Sequence, residues 1–344
     1  ARVEARREQA LVVVIVAPFQ HLVDQWMEEL KTFNTTPIGV YESSRKWMPV
    51  VSDALDAIRL GGSPGIVLVT TNASLALDVF QDLLGRIDAP LLFIGDEVHN
   101  LGSERIAQLL PTNAAYRMGL SATPERYMDD AGTQRVIDYF GPVVFELDLA
   151  QAIAMGALCH YNYFPRPVEL DDDEMEAYSA LSTQIAALLG SGESLDDAAA
   201  DSPLGQLLRK RSAILGHAAG KLPEFARDLE RHRNDWYQLV YCAEGSRPEF
   251  DGTLEPTSNQ VSDTLELIGS NMGLSAHDYV SSTSRPERRA LLRRFASGDD
   301  LRVLVAMRCL DEGVDIPDAR IAYLLASSSN PRQFIQRRGR LLRQ

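Results

Sequence analysis

Leu91-Leu92-Phe93-Ile94-Gly95-Asp96-Glu97-Val98-His99 decides the fold. The run Leu91–Ile94 reads as a buried strand. The Gly-Asp-Glu that follows puts two carboxylates at its carboxyl end, where open α/β sheets bind their ligands. Moving outward, Leu11–Ala17 is a β-branched strand, and Leu22–Thr32 is a helix with Leu22, Trp26, Met27 and Leu30 on its apolar face. Ile66–Thr70 reads as a strand, Ser74–Leu84 as a helix and Ala115–Leu120 as a strand. Continuous apolar strands alternating with helices predict a parallel sheet covered on both faces. From about Leu149 to Arg233 helical patterns dominate. Strand patterns return at Trp236–Tyr241, His277–Val280, Leu301–Ala306 and Ile321–Ala326. The expected fold class is therefore α/β, with two parallel-sheet units joined by a mostly helical, acidic connection.

The chain has 344 residues, 45% of them apolar and 24% charged. That balance excludes disordered and collagen-like classes, and the length fits two domains. Its net charge of −14 argues, as an average, against a nucleic-acid partner, but the charge is unevenly spread. Glu169–Asp201 holds ten acids (Glu169, Asp171, Asp172, Asp173, Glu174, Glu176, Glu193, Asp196, Asp197, Asp201) and no Lys or Arg. Arg285–Gln344 holds thirteen Arg against seven acids. The acidic run reads as a solvated helical face, and the average says little about the basic end. Cys159, Cys242 and Cys309 form no disulfide framework, which points to a reducing, cytoplasmic setting. The scattered histidines suggest no zinc site. Leu11–Pro18 is too short to span a bilayer, and no small-residue cleavage site follows it, so neither a membrane span nor a signal peptide is expected.

Three strings carry chemistry. In Asp96-Glu97-Val98-His99, one acid can hold Mg²⁺ on nucleotide phosphates and the other can take a proton from an attacking water. Alone the string is weak, since Asp-Glu is also a common helix-start pair. Gly119-Leu120-Ser121-Ala122-Thr123-Pro124-Glu125-Arg126 ends a strand in hydroxyl residues. It reads either as a turn or cap or as a polar hinge that bonds to the acid pair. In Gln336-Arg337-Arg338-Gly339-Arg340-Leu341-Leu342-Arg343, Arg340 and Arg343 share a helical face and can grip phosphoryl oxygens in fork geometry; a basic helix lying along a nucleic-acid backbone is the plainer reading.

With Pro18, Gln25-Trp26, Thr70-Thr71 and Leu304 through Asp311-Glu312-Gly313-Val314-Asp315-Ile316-Pro317, and in this order, these strings make the chain resemble the superfamily 2 helicases (DEAD/DEAH-like). It looks most like the branch holding the XPB-type helicases and the helicase subunits of restriction enzymes. The resemblance implies two RecA-like domains binding ATP between them: residues 1–148, a helical acidic connection over 149–234, and a second domain over 235–344. It implies an ATP-dependent DNA helicase or translocase, with ATP and Mg²⁺ as cofactors and DNA as partner, RNA being the less expected substrate. A nuclease or recognition domain could accompany it in the longer protein. Asp96 would hold Mg²⁺, Glu97 would deprotonate the attacking water, and His99 would couple the cleft to the second domain. Ser121, Ala122 and Thr123 would form the coupling segment. Gln336 would sit near the γ-phosphate with Arg340 and Arg343 as arginine fingers, and Gly313 and Asp315 near the nucleotide. Pro18, Phe19, Thr70 and Thr71 would face the nucleic-acid backbone.

Some features depart from the family pattern. No G-x-x-x-x-G-K-[ST] string occurs; the only Gly-Lys pair is Gly220-Lys221, followed by Leu222. The expectation is a fragment whose P-loop lies upstream of Ala1 and which, by itself, hydrolyses ATP barely or not at all, since the loop's amides and Lys anchor the phosphates. Val98 replaces a smaller residue, a packing matter. Met307 stands where a phosphate-contacting Thr is common, and Arg247–Asn259 aligns with no functional element. Ser282 and Thr283, ahead of a helix carrying Arg285, Arg288, Arg289, Arg293 and Arg294, could hold a phosphate, or the arginines could simply face water. A nucleic-acid-binding scaffold with a vestigial ATP site remains the reading from another functional class.

Overall fold

The structure, a computed structural model, describes residues 10–126, 129–191, 202–246, 259–280, 283–307 and 319–326. The chain divides into two compact units, Ala1–Glu146 and Leu147–Gln344.

In the first unit five parallel strands lie in the order β2-β3-β1-β4-β5: β1 Leu11–Ala17, β2 Ile38–Val40, β3 Gly65–Thr71, β4 Leu91–Asp96 and β5 Tyr116–Leu120. Its longer helices are α1 Gln20–Thr32, α2 Ser44–Arg59, α3 Asp78–Gly85 and α4 Asp130–Phe140. β1 is central, and all seven of its residues are buried. Because strand side chains alternate faces, Val12, Val14 and Val16 join one core with Phe80, Phe93 and Leu101. Leu11, Val13, Ile15 and Ala17 join the other, beneath Leu22, Trp26, Met27 and Leu30 of α1.

The expected alternation holds, with local differences. β2 and α2 fall in a stretch assigned no element: β2 has three residues, and α2 carries Pro49 in its interior, a helix-breaking signal. The single helix expected over Ser74–Leu84 is two pieces. Thr71 caps a one-turn helix, Asn72–Leu75, and the Gln81 side-chain amide, reaching back from α3, donates to the Leu75 carbonyl at 2.7 Å. β5 was expected to be covered on both faces; instead it is exposed along its length, with Tyr116, Met118 and Leu120 each more than a third accessible.

The second unit has four parallel strands in the order β7-β8-β6-β9: β6 Gln238–Tyr241, β7 Ala276–Tyr279, β8 Val303–Ala306 and β9 Ile321–Leu324. Its helices are α5 Leu149–Ala154, α6 Asp172–Gly190, α7 Pro203–Gly216, α8 Lys221–Arg231, α9 Gln260–Glu266 and α10 Arg285–Ser297. β6 and β8 are buried throughout. Among the described residues no helix is long and apolar enough to cross a membrane.

One acid of the run expected to be solvated is not. Asp172, Asp173 and Glu176 are exposed, but Glu174 is 1% exposed. Its Oε2 accepts from the Asp171 amide at 3.1 Å, closing a capping box with Asp171. Its Oε1 accepts from the Ala219 amide at 2.8 Å, in the loop before α8. Nearby, the Lys221 ammonium donates to the carbonyls of Gly216 (3.2 Å) and Leu325 (2.6 Å). Burial pulls its pKa down, opposed by the charge of Glu174.

Two outcomes follow. Glu174→Ala strands two amide donors, so urea unfolding should show a loss of about 2–3 kcal/mol. The Cys242 thiol is buried, and desolvation pushes its pKa up to about 12; it should resist a thiol reagent at pH 8.5 until the protein unfolds. Since the folded thiol keeps its proton where the unfolded one ionises, its contribution to stability is complete below the unfolded pKa of about 8.5 and falls as pH rises toward 12.

Candidate functional site

The site grows from the alternation of β4. Leu91, Phe93 and Gly95 face one core; Leu92 and Ile94 face the core under α1. Asp96 continues the second series, so its carboxylate emerges on the α1 side. There the Trp26 indole donates to Asp96 Oδ2 at 2.8 Å, while the Glu97 amide donates to Oδ1 at 3.0 Å.

The chain then reverses at Glu97, a non-glycine residue in the left-handed region (φ 47°, ψ 54°). This conformation costs of order 1 kcal/mol or more and turns the next residues back under the sheet. Val98 enters the core against Gly95 and Gly119, where an added Cβ would lie 2.9 Å and 3.0 Å from a Val98 methyl. The packing reading of Val98 fits this contact. A one-turn 3₁₀ helix, Val98–Leu101, carries His99.

His99 is nearly buried, and its Nδ1 lies 3.2 Å from Ser121 Oγ and 3.4 Å from Glu97 Oε2. The Ser121 hydroxyl directs its one proton to the Thr123 carbonyl at 2.8 Å and accepts from the Thr123 amide at 3.2 Å. With its proton so placed it accepts from His99, an arrangement that suits the tautomer with the proton on Nδ1. Glu97 and Ser121, 24 residues apart in the sequence, thus meet at one imidazole. Ala122 is exposed between the two hydroxyl residues.

Beyond Thr123, Arg126 donates from Nε to Asp129 Oδ2 at 2.6 Å and from Nη1 to the His99 carbonyl. Its guanidinium holds the Asp129 carboxyl below the usual range.

The residues expected to face nucleic acid separate. Phe19 is 39% exposed past the end of β1, stacked on His21 with ring centroids 5.6 Å apart, and Pro18 is half-buried. Thr70 departs from the expectation: it is fully buried, and its hydroxyl donates to the Val40 carbonyl of β2 at 2.7 Å. Thr71 caps the short helix after β3 by accepting from the Ser74 amide at 3.1 Å. In the second unit, Leu291 and Phe295 bury the apolar face of α10. Arg294 pairs with Asp300 at 2.7 Å, and Arg288 lies over the Tyr279 ring and donates to the Thr283 carbonyl. Arg289 and Arg293 are exposed. Ser282, Gly313, Asp315, Gln336, Arg340 and Arg343 lie outside the described residues.

Known proteins match in the same places. Residues 2–126 match the family "Type III restriction enzyme, res subunit", and residues 253–344 match "Helicase conserved C-terminal domain". Together the two matches support a superfamily 2 helicase of the XPB and restriction-subunit type. The DNA 3'-5' translocase XPB2 of Sulfurisphaera tokodaii is 25% identical to this chain over 97% of its length and 69% of the relative. The protein named Rad25 of Haloarcula marismortui is 25% identical over 96% of the chain, which spans 43% of that relative's length. The solved Pyrococcus furiosus Hef helicase domain superposes with a TM-score of 0.42 and 15% identity, covering 98% of this chain and 91% of that one. A superposition this loose adds nothing to the strand orders above.

The Trp26–Asp96 bond joins residues 70 apart, and no local signal in the sequence points to it. Trp26→Phe keeps the ring and removes the donor. The expected result is a loss of about 1.5 kcal/mol in urea unfolding; an unchanged midpoint would mean that the bond contributes nothing.

Proposed function

We propose that the chain is the motor core of an ATP-dependent DNA helicase or translocase, acting in the cytoplasm, in which Asp96, Glu97 and His99 form the hydrolytic centre. The observation that carries this is the convergence of both acids, His99 and Ser121 at the carboxyl ends of two adjacent parallel strands. That is where an open α/β sheet binds its ligand.

The donor set fits a hydrated divalent cation. Each Asp96 oxygen accepts one hydrogen bond from the protein and keeps lone-pair capacity for a metal-bound water. Among the described residues no three His, Cys, Asp or Glu side chains form a cage, and Mg²⁺ carried on nucleotide phosphates requires none. When bound, Mg²⁺ neutralises charge on the β- and γ-phosphates. Asp96, fixed by Trp26 and the Glu97 amide, would be the residue that holds it.

Glu97 would accept a proton from the attacking water as that oxygen bonds to the γ-phosphorus and ADP leaves. The His99 Nδ1–H, within reach of Glu97 Oε2 and Ser121 Oγ, would transmit a change at the carboxylate to the Ser121–Thr123 segment. Arg340 and Arg343 are proposed as arginine fingers and Gln336 as a γ-phosphate neighbour, with Gly313 and Asp315 near the nucleotide. Phe19, Pro18 and Thr71, with Ser282 and Thr283, are proposed along the DNA backbone. The name of the Sulfurisphaera relative, a DNA translocase, supports DNA over RNA. The free thiols of Cys159 and Cys242 suit a reducing compartment.

The test is DNA-stimulated ATP hydrolysis by the whole protein. Glu97→Gln should lower turnover by about 10²–10⁴-fold while ATP still binds, and near-normal turnover would remove Glu97 from the role. Stimulation by RNA above DNA would favour an RNA helicase. Nucleic-acid binding without any wild-type turnover would favour the scaffold.

A further inference from the structure

Arg126, the last residue of the Gly119–Arg126 string, has no task in the proposed chemistry, yet its backbone and its guanidinium are both tied down. Its backbone amide donates to Thr133 Oγ1 at 2.8 Å, and Thr133 Oγ1 in turn donates to the Asp129 carbonyl at 3.0 Å. Its Nε donates to Asp129 Oδ2, and the other Asp129 oxygen caps α4 by accepting from the Gly132 amide at 2.7 Å. Its Nη1 donates to the His99 carbonyl. From the same helix, Arg135 donates to the Gly102 carbonyl at 2.9 Å, at the end of the 3₁₀ turn.

Two glycines make room for this. A Cβ on Gly102 would meet the Gly132 carbonyl oxygen first and then Arg126 Cδ at 2.7 Å; one on Gly132 would meet Asp129 Oδ2 first and then Arg126 Nε at 2.5 Å. A larger residue at Gly102 must push the turn and the start of α4 apart, and one at Gly132 must shift both Asp129 and Arg126. Glycine on both walls therefore keeps the turn that follows the acid pair, the first turn of α4 and the arginine in close contact.

We propose that Arg126 is a positioning residue for the acidic turn: held between Gly102 and Gly132, its guanidinium ties the His99 backbone to Asp129 at the start of α4 and so holds Glu97, His99 and Ser121 in one arrangement. The inference rests on the reading of Glu97 and His99 as the hydrolytic centre. Arginine suits the task because its rigid fork serves two acceptors in different directions at once. Lysine keeps the charge but offers a single donor point. The coupling runs both ways, since a displacement of the start of α4 would be felt at the His99 carbonyl before it reached any side chain of the acid pair.

Amide hydrogen exchange on the chain tests this without requiring turnover, so its outcome is independent of the Glu97→Gln result. The Asn100 amide donates to the Glu97 carbonyl at 2.9 Å and reports the turn; the Thr123 amide reports the hydroxyl segment. In Arg126→Gln both should exchange about tenfold faster or more, while Val14 and Phe93 in the paired strands β1 and β4 keep their protection. Arg126→Lys should restore the ion pair with Asp129 yet leave Asn100 fast. The proposal is overturned by wild-type protection of Asn100 in Arg126→Gln, or by full rescue with lysine, which would make charge alone sufficient. It is overturned equally if Val14 and Phe93 lose protection along with the turn, since Arg126 would then serve only to hold the fold together.

Discussion

The left-handed reversal at Glu97 is the constraint on which the rest of the first unit depends. β4 delivers Asp96 to the face covered by α1, and an extended continuation would carry Glu97 away from the sheet. The turn instead drops Val98 into the core between Gly95 and Gly119 and brings His99 against Ser121. Burial of Val98 and Leu101 offsets the conformational cost of the turn, at about 1.5–3 kcal/mol for each fully buried side chain. The acid pair is thus strained locally and anchored by packing one residue later.

The same geometry explains why the two hydroxyl residues matter as a pair. Ser121 is the acceptor for His99 only because its proton is committed to Thr123. In the proposed coupling, a change at the imidazole would reach the backbone after β5 through two hydrogen bonds, with no large side chain between. β5 itself is exposed and lies at the end of the sheet order, so this segment is attached to the least buried strand of the unit. A coupling element must have two accessible positions, and low burial is where a fold supplies them.

Much of this was legible beforehand. A β-branched run such as Leu11–Ala17 reads as a buried parallel strand, and the acid pair that follows the apolar run Leu91–Ile94 reads as lying at a strand end. What escaped the sequence was set by contacts at long range. Trp26 and Asp96 are 70 residues apart, and only the shared sheet face brings them together. Thr70 resembles its neighbour Thr71, yet alternation turns it inward to the Val40 carbonyl. Glu174 sits in a run of acids that composition reads as solvated, and a single amide in a distant loop makes it a buried residue. In each case the deciding partner comes from an element whose register the sequence does not state.

Glu174 also changes what the acidic helical segment is mechanically. A helix fastened only by its solvated charges would open and close on its own. Here the first turn of α6 and the loop ahead of α8 share one carboxylate, and Lys221 of that helix reaches on to the Leu325 carbonyl just past β9. Helix start, loop and sheet end are therefore joined through two neighbouring charged side chains, Glu174 and Lys221. The first turn of α6 is thereby tied to the second sheet, and loosening it would cost those hydrogen bonds.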